Sequence, residues 1–135
     1  MKLDMELIGY INLFEKITRC HVKDSFPYSD KLLFVVGPGQ ASKAVGKKGA
    51  NIKKLSDMIN KKLKVVEFSD DPATFLKSFI SPIKAQKIEI NCNIAEITVR
   101  GRQEKGLLIG RDKNNLNCLK EIMKKYFKFE DVKIL

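Results

Sequence analysis

The sequence predicts an α+β protein of two similar small units in tandem, each reading helix, strand, strand, helix, helix, strand. Three observations carry that prediction. First, the chain repeats itself: slid by 64 residues, "LFVVGPGQASKAVGKKGANIKKL" (33–55) falls on "ITVRGRQEKGLLIGRDKNNLNCL" (97–119) without a gap. Val35 meets Val99, Gly37 meets Gly101, Gly46 meets Gly110, Lys47 meets Arg111, Asn51 meets Asn115 and Leu55 meets Leu119. Apolar character also agrees at Leu33/Ile97, Ala44/Leu108, Val45/Ile109 and Ile52/Leu116. Second, helical and strand-like apolar periodicity follow one another in the same order in both halves. Third, Asp70-Asp71-Pro72 interrupts the chain near its middle, which predicts units at 1–70 and 71–135. Each half lies near the size at which a core is marginal, so the halves are expected to pack on each other.

The elements follow in order. Leu7, Ile8, Ile11, Phe14 and Ile17 share one side of a helix over 4–18. Strands are expected at 20–26 and 31–36, joined by a turn around Pro27-Tyr28-Ser29-Asp30, and Gly37-Pro38-Gly39 then breaks the chain. A short helix over about 40–45 leads into the Gly46–Gly49 turn. A longer helix follows, with Ile52, Leu55, Met58 and Ile59 inward and Lys53, Lys54 and Lys61 toward solvent. "LKVVEF" (63–68) reads as a strand. In the second half Pro72 stands where a helix start does not need its missing N–H, and Phe75, Leu76, Phe79 and Ile80 share a face over 73–80. Ser81-Pro82 stops that helix. Strands at about 84–92 and 94–100, helices at about 103–109 and 113–127, and a last strand at 132–135 complete the order.

Charge narrows the partner. The 135 residues hold 26 Lys and Arg against 16 Asp and Glu, a net charge of +10. Such an excess favours a polyanion, either nucleic acid or an anionic membrane surface; the alternative is a lysine-rich solvated surface, and composition alone does not separate the two. Residues 37–64 hold eight lysines against Asp57 alone, and residues 100–128 hold nine Lys or Arg against Glu104, Asp112 and Glu121. Each unit therefore has its own basic face near its glycine turn. Cys20, Cys92 and Cys118 are odd in number and far apart, and His21 is the single histidine, so no structural metal site is expected. The cysteines read as reduced thiols of a cytoplasmic protein. The longest uncharged N-terminal run, Leu7 to Phe14, is too short for a signal peptide core with flanks or for a membrane span.

The glycine turn is where chemistry is expected. In "AVGKKGANIKKL" (44–55) two glycines flank two lysines at the mouth of a helix. Glycines allow a sharp turn and a close approach to the main chain. A helix start adds free N–H groups and partial positive charge, together an anion site. Lys47 and Lys48 add mobile charge, so a phosphodiester backbone can cross the turn with bases facing an apolar edge of Val36, Val45 and Ile52. Gly-x-x-Gly alone is most often a plain helix–helix turn; the lysine tip, the repeat and the strand–helix context raise it here. A P-loop fails on spacing, because six residues separate Gly39 from Gly46 and Lys48 stands where a hydroxyl is needed. A dinucleotide fingerprint starting at Gly37 fails at Ser42. No catalytic set is visible: His21 reads as a partly buried strand histidine, and no acidic pair has acid–base spacing. Neither an enzyme, a cofactor nor a small-molecule substrate is expected.

These stretches, in this order of elements, resemble the KH RNA-binding domain in its type II arrangement. Two such units, with "AVGKKGANIKKL" in the first and "LIGRDKNNLNCL" in the second, resemble the NusA family of transcription factors, and the length resembles its short archaeal members. The resemblance covers nearly the whole chain. It implies two tandem type II KH domains, each a three-stranded sheet packed with helices, rigidly joined, holding extended single-stranded RNA. KH modules clamp about four nucleotides with the glycine turn. Carried over, the RNA contacts are Gly46, Lys47, Lys48 and Gly49, with Ile52 on the groove floor and Lys43, Val45 and Lys53 beside them. In the second unit they are Gly110 and Arg111, with Lys113 in place of the second glycine and Asn114 after it. Asp112 puts negative charge at that tip, so weaker or shifted RNA binding is expected there. The polymerase-binding and S1 domains of bacterial members do not fit in 135 residues, so any contact with RNA polymerase has to use the KH surfaces. The leading expectation is an RNA-binding factor acting on nascent transcripts in elongation, termination or antitermination. Alternatives are RNA binding in ribosome assembly or translation, and a basic adaptor docking on an acidic protein surface.

Overall fold

The computed structural model describes residues 5–135 and divides into two compact units, Met1–Ser69 and Asp70–Leu135. It is an α+β protein with one three-stranded sheet in each unit. In the first unit, helix α1 (Met5–Thr18) is followed by strands β1 (Val22–Tyr28) and β2 (Lys31–Val36), helix α2 (Ala41–Val45), a 3-10 turn (Lys47–Gly49), helix α3 (Ala50–Ile59) and strand β3 (Lys62–Glu67). The expected helix start at residue 4 lies outside the described residues.

Strand β2 is central, antiparallel to β1 and parallel to β3. Its run Leu32–Val36 is wholly buried, as a strand covered on both faces requires. A parallel β2–β3 pair needs a crossover, and α2, the turn and α3 supply it. Leu32, Phe34 and Val36 pack with Leu7 and Phe14 of α1, Ala44 of α2, and Leu55 and Ile59 of α3. Phe14 stacks on Phe34 with centroids 4.3 Å apart. Thr18 closes α1, its hydroxyl donating to Phe14 O at 2.8 Å and accepting from Cys20 N–H at 3.1 Å.

The second unit repeats the order with α4 (Pro72–Ile80), β4 (Lys87–Asn91), β5 (Ile94–Thr98), α5 (Arg102–Ile109), a 3-10 turn (Arg111–Lys113), α6 (Asn114–Phe127) and β6 (Asp131–Ile134). Strand β5 is central, antiparallel to β4 and parallel to β6. Asp71 caps α4, accepting from Thr74 N–H at 3.2 Å, with Pro72 in the first turn. Phe75, Leu76, Phe79 and Ile80 are buried, and the Phe75 ring meets those of Phe79, Tyr126 and Phe127.

Several sequence expectations need correction. The β1–β2 turn is shorter, because Pro27 and Tyr28 pair with Leu32 and Lys31. Pro27 is tolerated because β1 is an edge strand. Ile8 is 40% exposed and Met58 55% exposed, while Tyr10 and Leu13 take part in the core packing of α1. His21 lies before β1, not in it, with its side chain 89% exposed and Nδ1 3.2 Å from Glu15 Oε2. Strands β4 and β5 are shorter than expected, β4 at both ends and β5 at its C-terminal end. The gapless repeat also slips in the central strand. Val36 O accepts from Phe68 N–H, and Ile97 O accepts from Leu135 N–H, so Phe34 and Val36 share their bonding phase with Ile97 and Val99. Burial agrees, falling on Ala95, Ile97 and Val99 but not on Glu96 and Thr98. Val35 and Val99 are therefore not counterparts. The extra residue is absorbed where α5 begins closer to its strand than α2 does.

Candidate nucleic-acid interface

Helix α2 ends at Gly46, with φ 82 and ψ 172. That combination is closed to residues bearing a Cβ. A Cβ there would also lie 2.9 Å from Asn51 Cγ and 3.0 Å from Asn51 N. Asn51 fills this space because its Nδ2 donates to Lys43 O at 3.2 Å, tying the last turn of α2 to the first turn of α3. Lys48 (φ 55, ψ 29) and Gly49 (φ 74, ψ 17) then complete the bend in left-handed conformations. A Cβ on Gly49 would meet nothing within 4 Å, so its backbone angle alone favours glycine there.

Not every amide of this turn is available to an anion. Gly46 N–H donates to Ser42 O at 3.0 Å and Gly49 N–H to Gly46 O at 3.1 Å. The anion-binding expectation for amides 46–49 therefore narrows to Lys47 and Lys48. Both lysine side chains are exposed, as are those of Lys43 and Lys53, while Val45, Gly46, Gly49 and Ile52 are half-buried.

Beside the turn runs an open groove of about 570 Å³. Val45, Lys48, Gly49, Ile52 and Lys53 line it from the helical side, and Leu63 and Val65 of β3 from the sheet. Lys31 and Lys62 also border it, whereas Lys43 and Lys47 do not. Val36, expected on the apolar edge, is fully buried in the core. Leu63 and Val65 take its place; period-two alternation in "LKVVEF" was the signal for them. Between these two, burial pushes the Lys64 ammonium down to about 8, with the Lys31 charge adding to the effect. Its Nζ lies 5.5 Å from the Tyr28 ring centroid. Lys62 Nζ meets Asp30 Oδ2 at 3.2 Å and holds that carboxyl below the usual range.

The second unit reproduces the bend. Gly110 has φ 75 and ψ 174, Asp112 φ 55 and ψ 29, and Lys113 φ 62 and ψ 20. Gly110 N–H donates to Gly106 O at 2.8 Å and Lys113 N–H to Gly110 O at 3.3 Å. A Cβ on Gly110 would fall 2.6 Å from Asn115 Cγ, and Asn115 Nδ2 donates to Leu107 O at 3.0 Å. Arg111, Lys113 and Asn114 are exposed, and Ile109 and Leu116 are half-buried like Val45 and Ile52. The pair that shapes both bends and that sequence reasoning passed over is Asn51 and Asn115. Their identity in the repeat was visible; their role as clamps was not.

Among the described residues, no cluster of three or more His, Cys, Asp or Glu is placed to hold a metal ion, and no helix is long and apolar enough to cross a membrane.

No family model matches the chain. Curated relatives do. The probable transcription termination protein NusA of Methanococcus vannielii is 33% identical over 118 residues, covering 84% of this chain and 68% of the relative. The protein of that name from Thermoplasma acidophilum is 29% identical over 135 residues, covering 98% and 94%. The one from Methanocaldococcus jannaschii is 25% identical over 138 residues, covering 100% and 75%. Among solved structures, the crystal structure of APE1850 superposes with a TM-score of 0.69 at 27% identity, covering 98% of this chain and 100% of that one.

Proposed function

The chain belongs to the NusA family of archaeal probable transcription termination proteins, and from that premise we propose that it binds single-stranded RNA of nascent transcripts and regulates elongation or termination. In this reading each unit is a type II KH domain, supported by the shared element order and the matching bends at Gly46 and Gly110. The observation that carries the reading is the first bend: two exposed lysines on a glycine-flanked tip, beside a groove with an apolar floor of Val45, Ile52, Leu63 and Val65. Lysines and the tip amides hold phosphates, and the groove floor receives bases. The site offers cationic and amide donors and apolar surface, with Ser56 and Asp57 also on its border, and in this reading its chemistry is binding. Any contact with RNA polymerase uses the KH surfaces.

Binding to a short oligoribonucleotide, measured against salt, tests this. Each phosphate neutralised contributes a log–log slope of about −0.7. A slope corresponding to at least two phosphates, with a preference for single-stranded over double-stranded RNA, is expected. A salt-independent affinity, or equal affinity for an acidic polypeptide, contradicts it and favours an adaptor role.

A further inference from the structure

The groove beside the first turn does not end at β3. Lys31 and Lys62, which border it, also line a second, larger cavity of about 670 Å³. This cavity is bounded by α1, the β1–β2 turn and the loop between α3 and β3. Both volumes lie in the range of about 300–1,000 Å³ typical of small-ligand sites. We infer that the second cavity is a further RNA subsite, which takes a nucleotide flanking those held at the glycine turn. The inference rests on the single-stranded RNA reading of that turn.

Three features support a flanking nucleotide as the occupant. The first is continuity: the two cavities share Lys31 and Lys62 as lining, so a strand leaving the groove past these lysines meets the second cavity next. The second is chemistry. The cavity offers Lys31, Lys61 and Lys62 for phosphate, and Leu7, Tyr10 and Leu32 as an apolar and aromatic wall for a base. Bases stack on aromatic side chains without needing a particular sequence. The cavity's two carboxylates are both engaged: Glu6 accepts from the Tyr10 hydroxyl, and Asp30 pairs with Lys62. Asp30 thus occupies Lys62 until phosphate displaces it. The third is preorganisation. Ser56 Oγ donates to Lys61 O at 2.7 Å, while Ser56 O accepts from Asn60 N–H at 2.8 Å and Lys61 N–H at 3.3 Å. The backbone that presents Lys61 is therefore fixed before any ligand arrives.

Lys61 is the selective probe, because it is exposed and lines only the second of these two cavities. The test is fluorescence anisotropy on the full chain with a four-nucleotide RNA and the same RNA extended by four nucleotides at either end. One extension is expected to tighten binding about tenfold and to steepen the salt slope by about 0.7 for each added phosphate. Lys61→Glu should remove that gain and leave the four-nucleotide affinity unchanged; Tyr10→Leu, which keeps the apolar packing, should remove part of it. A gain that survives Lys61→Glu but is lost in Arg111→Asp overturns the inference, since the extension then lies on the second unit. So does the absence of a gain from either extension. If Lys47→Asp with Lys48→Asp leaves the four-nucleotide affinity intact, the glycine-turn reading itself fails, which is a separate result.

Discussion

The two bends of this protein have nearly the same backbone and different chemistry. Lys48 and Asp112 share φ 55 and ψ 29, and Gly49 and Lys113 differ by only a few degrees in ψ, at 17 and 20. The second glycine is therefore not what makes the bend. The shape is set by the first glycine and by the asparagine five residues later, whose amide seals α2 to α3 and α5 to α6. What differs is the charge: Lys-Lys-Gly at one tip, Arg-Asp-Lys at the other. The degenerate motif here is altered charge on a preserved backbone.

The harshest way to break that comparison is at the shared glycine. Gly46→Ala and Gly110→Ala each force a Cβ into a glycine-only backbone region and against an asparagine. We expect a loss of about 3 kcal/mol or more from strain and overpacking together, read by denaturant unfolding. Gly110→Ala should be the worse, since its contact is 2.6 Å against 2.9 Å. Equal or negligible losses would mean that the clamps yield easily.

Next in size is the charge difference. Lys47→Asp with Lys48→Asp should weaken RNA binding by roughly a hundredfold while leaving the unfolding midpoint unchanged, because both side chains are exposed. Arg111→Asp should weaken it less. The converse exchange, Asp112→Lys with Lys113→Gly, should add affinity; if it adds none, the second bend is not a latent RNA site.

The clamps come third. Asn115→Ala should cost about 1–2 kcal/mol of stability and Asn51→Ala less, since Asn115 is only 8% exposed and Asn51 half-buried. Smaller still is the second glycine position. Gly49→Ala should cost about 1 kcal/mol from its positive φ alone, and Lys113→Gly should stabilise by less than that.

The least effect concerns pH. Lys64 is held down to about 8 by burial, whereas Lys133, at the corresponding place in β6, is exposed opposite Glu96. Between about pH 8 and the ordinary lysine value of 10.5 the unfolded chain binds this proton and the folded chain does not. Lys64 therefore contributes stability that rises with pH across that window. The difference in unfolding free energy between the native chain and Lys64→Met, measured at pH 7 and pH 10, should shrink accordingly. A difference constant with pH would place the Lys64 ammonium in solvent.

Where the sequence was legible, a residue type carried its own physics. Glycine at 46 and 110 marked backbone that only glycine adopts, Pro72 after Asp71 marked a capped helix start, and the α4 run declared its buried face. It was less legible where the answer depended on partners distant in the chain. Met58 fits the helical stripe of α3, but Leu55 and Ile59 already fill the core beneath it. The slip between the two central strands hid behind the exact spacing of the glycine turns, because a change in loop length and helix start leaves that spacing intact. Leu63 and Val65 entered the groove only once β3 had been paired beside β2. The amides of Gly46 and Gly49 looked available until the bonds closing the bend were placed.

The most direct measurement is a titration of the isotope-labelled chain with a four-nucleotide single-stranded RNA, followed by amide chemical shifts. The account predicts the largest changes at Lys47 and Lys48, followed by Ile52 and the groove residues Leu63 and Val65, with smaller changes at Arg111 and Asp112. Changes concentrated on another surface, with Lys47 and Lys48 unmoved at saturation, would contradict it.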